Sequence, residues 1–220
     1  MTSGDIVSAL REKVLGEVFD YRVLMNALSG YSKPRDAVTR LLSDGTIVRI
    51  GKGLYCFGHA YRRGNIQKEY IANLLYGPSY VSLEYALQFY GMIPERVHTI
   101  TSVTVKRTKD FDTPLGRFHY RMLSPHRYNS GYTLHDRSPV PFLIATPEKA
   151  LVDKLWTDRR FSGTRIGDFA DYLEEDLRIN RNSLEGLDRD MMLRISDACN
   201  SAKIRNLVTY LERIWSGHGS

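Results

Sequence analysis

The sequence predicts an α+β fold in two parts: a helical module closed by a β-hairpin, then a mixed domain with a small antiparallel sheet and C-terminal helices. Three observations predict it. Between Ser32 and Tyr55 an amphipathic pattern, opened by Pro34 and closed by Asp44-Gly45, runs directly into two β-branched or aromatic runs around Gly51-Lys52-Gly53. Between 99 and 145 short alternating segments are separated by turn residues. From Thr146 onward the apolar spacing is helical almost to the C-terminus.

Taken in order, Ile6, Leu10 and Val14 recur at helical spacing and predict a helix over 5–15. Val23, Leu24 and Leu28 predict a second over 21–28, released by Ser29-Gly30-Tyr31-Ser32. Pro34 disfavours helical geometry at Lys33 and suits the first helical position itself, so a third helix starts there with Val38, Leu41 and Leu42 inward. Gly45 is free to adopt the left-handed conformation that ends it. Residues 46–50 and 54–57 then pair across the Gly-rich tip as a hairpin. Helix, helix, turn, helix, hairpin is the order of a winged helix-turn-helix, placed here at 1–63. The polar stretch Tyr61-Arg-Arg-Gly-Asn65 separates it from a second domain over 64–220.

In that second part, Asn65 is positioned to cap a helix running to Tyr76, which Gly77-Pro78 stops, and Ser82 to cap one that Gly91 ends. Strands are expected over 99–108 and 116–123 as partners, and over 132–135 and 140–145 as a second pair. Thr146-Pro147-Glu148 carries the signals of a helix start, and the helix should reach Trp156. Further helices are expected over about 165–177, 187–199 and 203–215.

Composition narrows the function classes. Apolar residues are 42% and charged residues 25%, an ordinary globular balance. No apolar run approaches the roughly 18 residues of a membrane span, and Met1 to Leu15 lacks the apolar core of a secretory signal, so a cytoplasmic protein is expected. Cys56 and Cys199 lie far apart, without metal or disulfide spacing. His59, His98, His119, His126, His135 and His218 form no ligand pair, so no metal and no cofactor is expected. Glu174-Glu175-Asp176 point around a helix rather than converging, and no Gly-x-Ser-x-Gly elbow is present. Gly45 and Gly51 are separated by five residues, not the four of a phosphate loop, and Gly53 replaces its hydroxyl residue. No catalytic constellation remains, and an enzyme is not expected.

The net charge of +6 falls in two blocks. Residues 31–62 carry six Lys/Arg against two acids, and residues 96–127 carry seven against two. In the first block, the 100° helical step turns Asp36, Thr39, Arg40 and Ser43 outward, while Ser32, Lys33 and Arg35 stand at the amino end. Such a helix can read duplex DNA: Arg35 or Arg40 by a bidentate contact to guanine, Thr39 through a thymine methyl. Arg49 and Lys52 on the hairpin suit phosphates. The competing reading is a solvated face on which Asp36 and Arg40 form a surface salt bridge. In the second block Lys106, Arg107, Lys109, Arg117 and Arg121 make one basic surface if their strands pair. The aromatic series Tyr80, Tyr85, Phe89 and Tyr90 is expected in the core.

Three ordered segments resemble one family. They are the stretch ending Arg-Ile-Gly-Lys-Gly-Leu-Tyr55, the segment Pro78-Ser-Tyr-Val-Ser-Leu-Glu-Tyr-Ala-Leu-Gln-Phe-Tyr-Gly-Met-Ile-Pro-Glu95, and Ile144-Ala-Thr-Pro-Glu-Lys-Ala-Leu-Val-Asp153. Together they are similar to the AbiEi-like antitoxins of type IV toxin–antitoxin systems, which are also transcriptional regulators. The resemblance implies a winged helix that represses its own operon at inverted repeats, with two copies on the DNA. It further implies a second domain that counters a nucleotidyltransferase-type toxin, in general without a stable toxin–antitoxin complex. The alternative is an orphan regulator whose second domain serves dimerisation or effector binding.

Overall fold

The computed structural model describes residues 3–14 and 16–217, so the expected helix end at Leu15 and the residue His218 lie outside the described residues. The chain is α+β. Helix α1 (Ser3–Arg11) stops earlier than its apolar spacing suggests. Arg11 turns back to grip Glu17 with both guanidinium nitrogens, at 3.1 and 2.8 Å, and also donates to the Tyr61 carbonyl at 2.6 Å. A short strand β1 (Val18–Asp20) follows, unanticipated because three residues carry no period. Asp20 then caps α2 (Tyr21–Ala27), accepting from the Val23 amide at 2.9 Å.

Pro34 occupies the start of α3 (Pro34–Ser43), as its ring geometry favours. Ala37, Val38 and Leu41 form the buried stripe of α3, and Leu42 is half-buried. Asp44 locks the exit, its Oδ1 accepting from the Thr46 amide and hydroxyl at 2.9 and 2.6 Å. The chain then forms β2 (Ile47–Gly51) and β3 (Leu54–Phe57), joined by a tip in which Gly53 takes φ +76°. The three strands are antiparallel in the order β1-β3-β2. A first core gathers Ile6, Leu10, Leu24, Leu28, Leu41 and Phe57 among others.

The stretch over 61–65 is less free than its polarity suggests. A 3-10 turn (His59–Tyr61) leads into it, Arg62 donates back to the Phe57 carbonyl at 2.9 Å, and the Arg63 amide donates to Glu17 at 3.1 Å. Strand β3 is buried on both faces. Tyr55 and Phe57 belong to the first core, whereas Leu54 and Cys56, with Ile50, belong to the second. A Cβ on Gly51 would stand only 2.5 Å from Leu75, so the hairpin packs closely on the next helix. The second part therefore completes the burial of the hairpin, so apolar packing crosses the expected boundary at residue 63.

The second part is built on six strands: β4 (Ser79–Val81), β5 (Ile100–Thr104), β6 (Lys109–Thr113), β7 (Gly116–Met122), β8 (Tyr132–His135) and β9 (Phe142–Ala145). Their order is β6-β7-β5-β4-β9-β8, and the β5–β7 and β4–β9 pairs are parallel. This corrects the expectation of a small antiparallel sheet. Residues 116–122 do pair with 100–104, but in parallel, because β6 supplies the antiparallel partner across Pro114-Leu115. The pairing of β8 with β9 is antiparallel.

Helix α4 (Lys68–Leu75) begins three residues after Asn65, which does not cap it. It covers one face of the sheet, where the Tyr120 hydroxyl donates to the Ala72 carbonyl at 2.7 Å. Helices α5 (Leu83–Phe89) and α7 (Pro147–Thr157) belong to the other. Ser82 precedes α5 but does not cap it by hydrogen bond: its hydroxyl donates instead to Asp153 at 2.8 Å. Thr146 does cap α7, accepting from the Lys149 amide at 3.3 Å. A short α6 (Pro125–Tyr128) precedes β8. The remaining helices are α8 (Asp168–Ala170), which widens into a π turn (Asp171–Asp176), then α9 (Arg181–Glu185), α10 (Arg189–Cys199) and α11 (Ala202–Trp215). No helix is long and apolar enough to cross a membrane, among the described residues.

Candidate nucleic-acid interface

The first-block residues all face solvent. Ser32, Lys33, Arg35, Asp36, Thr39 and Arg40 are all exposed on α3 or just before it, and Arg49 and Lys52 are exposed on the hairpin. The burial of Ala37, Val38 and Leu41 fixes this: a helix that buries one stripe must present the other. Asp36 and Arg40 do not form the ion pair their spacing allows, and none of Lys33, Arg35, Arg40, Arg49 and Lys52 makes an ion pair among the described residues. The Thr39 hydroxyl donates to the Arg35 carbonyl at 3.2 Å, which leaves its methyl group as the outward chemistry. Arg49 Nε donates to the Gly51 carbonyl at 3.3 Å and so tracks along the hairpin towards its tip. A hollow of about 390 Å³ lies at the amino end of α3, between Tyr31, Lys33, Asp36 and Arg40.

The second-block residues do not form one surface. On β6 and β7 the side chains alternate, and cross-strand partners share a face. Lys109 stands opposite Tyr120, and its Nζ lies 5.6 Å from the Tyr76 ring and 4.7 Å from the Phe111 ring. Lys106 lies 5.2 Å from the Tyr76 ring and donates to the Gly77 carbonyl, and Arg107 accepts from the Tyr76 hydroxyl through its carbonyl at 3.2 Å. These three gather around Tyr76 at the end of α4.

Arg117 and Arg121 alternate with the buried Phe118 and Tyr120 and so face the other way. They enter a cleft of about 870 Å³ between the sheet and the C-terminal end of α7. Arg96, His119, Lys154, Arg159 and Arg160 line the same cleft. Sequence reasoning missed these five, because they lie up to 64 residues apart and only the fold brings them together. The run Arg159-Arg160 directly after an amphipathic helix was the one local sign. Within the cleft, the Arg160 guanidinium, bonded to Asp158 at 3.2 Å, holds that carboxyl well below the usual range, and Lys154 at 3.2 Å adds to it. His119 Nδ1 lies 2.7 Å from Asp110 and lowers that carboxyl too.

The remaining candidates have structural places. Cys56 and Cys199 are free and buried, and burial pushes both thiols up. Glu174, expected on a solvated face, accepts from the Tyr210 hydroxyl at 2.6 Å and braces the π turn against α11. Of the aromatic series, Tyr80 is fully buried, Tyr85 and Tyr90 are half-buried, and Phe89 is exposed rather than core.

No family model matches this chain, and neither does any curated protein. Among solved structures it is similar to the RV2827C protein from Mycobacterium tuberculosis, with a TM-score of 0.54 over 99% of this chain and 82% of that one. The two are 13% identical, so the likeness is one of fold.

Proposed function

We propose that this chain is a winged helix-turn-helix regulator that binds duplex DNA, with α3 in the major groove and the β2–β3 hairpin as its wing. One observation carries the reading. On α3, Lys33, Arg35 and Arg40 face solvent without an ion-pair partner among the described residues, over a buried stripe that fixes their direction. Three cations against the one acid Asp36 leave this face net positive, and a polyanion relieves their mutual repulsion. Arg35 and Arg40 serve as base readers, Thr39 offers a methyl contact, and Ser32, Lys33, Arg49 and Lys52 position the phosphates. Lys106 and Lys109, gathered around Tyr76 at the end of α4, add phosphate contacts along flanking DNA.

The resemblance extends this reading to an antitoxin that represses its own operon at inverted repeats, two copies at a time, and counters a nucleotidyltransferase-type toxin. A regulator without a toxin, whose second part binds an effector, is the other reading, favoured by the cationic cleft. Footprinting on the DNA upstream of its own gene tests the shared core. The expected result is protection of an inverted repeat with half-sites about one helical turn apart. Equal affinity for that DNA and for random duplex would overturn it. Co-expression with the product of the adjacent gene separates the two readings: restored growth favours the antitoxin.

A further inference from the structure

We propose that the cleft between β7 and the C-terminal end of α7 binds a small ligand carrying two or more phosphoryl groups. Its volume of about 870 Å³ suits a small-molecule site. Six Lys/Arg side chains line it, namely Arg96, Arg117, Arg121, Lys154, Arg159 and Arg160, against the acids Glu84, Asp110 and Asp158.

The acids are already engaged. Lys154 bridges Glu84 at 2.8 Å and Asp158 at 3.2 Å; Arg160 and the Tyr172 hydroxyl also take Asp158; His119 takes Asp110. The side chains of Arg96, Arg121 and Arg159 make no hydrogen bond among the described residues, though Arg121 is near enough to Asp110 to lower its carboxyl, and all three converge on one concavity. Five guanidiniums in a shared hollow raise its potential, and planar N–H forks match phosphate oxygens two at a time.

The walls are prearranged. Strand β7, which carries Arg117, His119 and Arg121, is clamped between β5 and β6. Leu83 also lines the cleft, with φ +60°, a conformation a leucine rarely adopts. Thr101 holds it there, donating to the Ser82 carbonyl at 2.6 Å and accepting from the Tyr85 amide at 3.1 Å. Strain maintained at a cleft wall is a feature of binding sites.

The lining also selects the ligand class. It contains no Phe, Tyr or Trp, so it lacks the stacking platform on which single-stranded nucleic acid is held. What fits is an oligophosphate, free or as the tail of a nucleotide, gripped by its oxygens.

Calorimetric titration of the full chain with tripolyphosphate and with ATP, at constant ionic strength, tests this. Both should bind; equal affinities identify the phosphate chain itself as the ligand, and tighter ATP identifies a nucleotide. Arg96→Glu and Arg159→Glu, both at exposed loop positions, should each weaken binding at least tenfold with an unchanged circular dichroism spectrum, and Arg159→Lys should retain part of it. Arg40→Ala should leave it unchanged. Absence of binding by either probe at about 1 mM, a dissociation constant worth only about 4 kcal/mol, would overturn the proposal. So would affinities indifferent to the charge reversals. Random duplex DNA whose binding falls equally in both Glu variants would overturn it in favour of a nucleic-acid backbone.

Discussion

Lys149 Nζ lies 2.5 Å from Asp153 Oδ1, one turn apart on α7, and the two side chains are 0% and 1% exposed. Both groups have further partners. Lys149 also donates to the Arg127 carbonyl at 2.7 Å, and the other Asp153 oxygen accepts from Tyr80 at 3.0 Å and Ser82 at 2.8 Å. Burial pushes the Asp153 carboxyl up, and Lys149 pulls it back. The segment Thr146–Asp153 thus carries polar residues because they bolt α7 to β4 and to the end of α6. Lys149→Met should cost about 3–5 kcal/mol, since it leaves a buried charge unpaired. Urea denaturation measures it, and adding Asp153→Asn should cost much less than it does alone, with a coupling above about 1 kcal/mol.

Arg40→Ala should weaken binding to the operator by about 1–3 kcal/mol while leaving random duplex nearly unaffected. Fluorescence anisotropy on both DNAs reads the difference. Equal losses would move Arg40 from base reading to phosphate contact.

Lys52→Ala should act differently. It should weaken all sequences alike and reduce the slope of log affinity against log salt by about one. Titrations at several salt concentrations give that slope, and an unchanged one would remove the hairpin tip from the backbone contacts.

Acid should unfold the protein through two carboxylates. Hydrogen bonding from Arg160 lowers Asp158, and Arg11 lowers Glu17 despite the opposing effect of burial. Both therefore bind protons more weakly folded than unfolded. Their stabilisation is complete above the unfolded value of about 4 and is lost as pH falls below it. Thermal melts from neutrality downward should fall most steeply below about pH 4. Asp158→Asn should flatten that fall.

Where signals are local, the sequence was readable. Pro34, Asp44-Gly45 and Gly51-Lys52-Gly53 each dictate backbone geometry within a few residues, and α3 and the hairpin lie where those residues put them. The outward set on α3 follows from the stripe below it. The sheet resisted for the opposite reason. Strand β4 is three residues, all buried, with no alternation to detect, and β6 is so polar (Asp110 and Asp112 within five residues) that it read as a turn. Parallel pairing between β5 and β7 depends on a strand inserted at the edge, which no window of sequence contains. Ser82 looked like a cap because its partner, Asp153, is 71 residues away. The arginines of the cleft were visible singly, and only the return of α7 beside β7 makes them a group.

Strand β3 is a septum. Its odd residues, Tyr55 and Phe57, are embedded in one core and its even ones, Leu54 and Cys56, in the other. A strand so embedded cannot pivot, because tilting one face drags the other through packed side chains. The direction in which α3 projects is consequently a constant of the molecule rather than a variable set by a tether. Any symmetric pair of copies joined through their second parts would hold two reading helices at a single separation and a single phase. On the proposed DNA-binding reading, such a pair would measure DNA as a rigid caliper does. Inserting about five base pairs, half a helical turn, between half-sites would swing one of them to the far side of the duplex, out of reach.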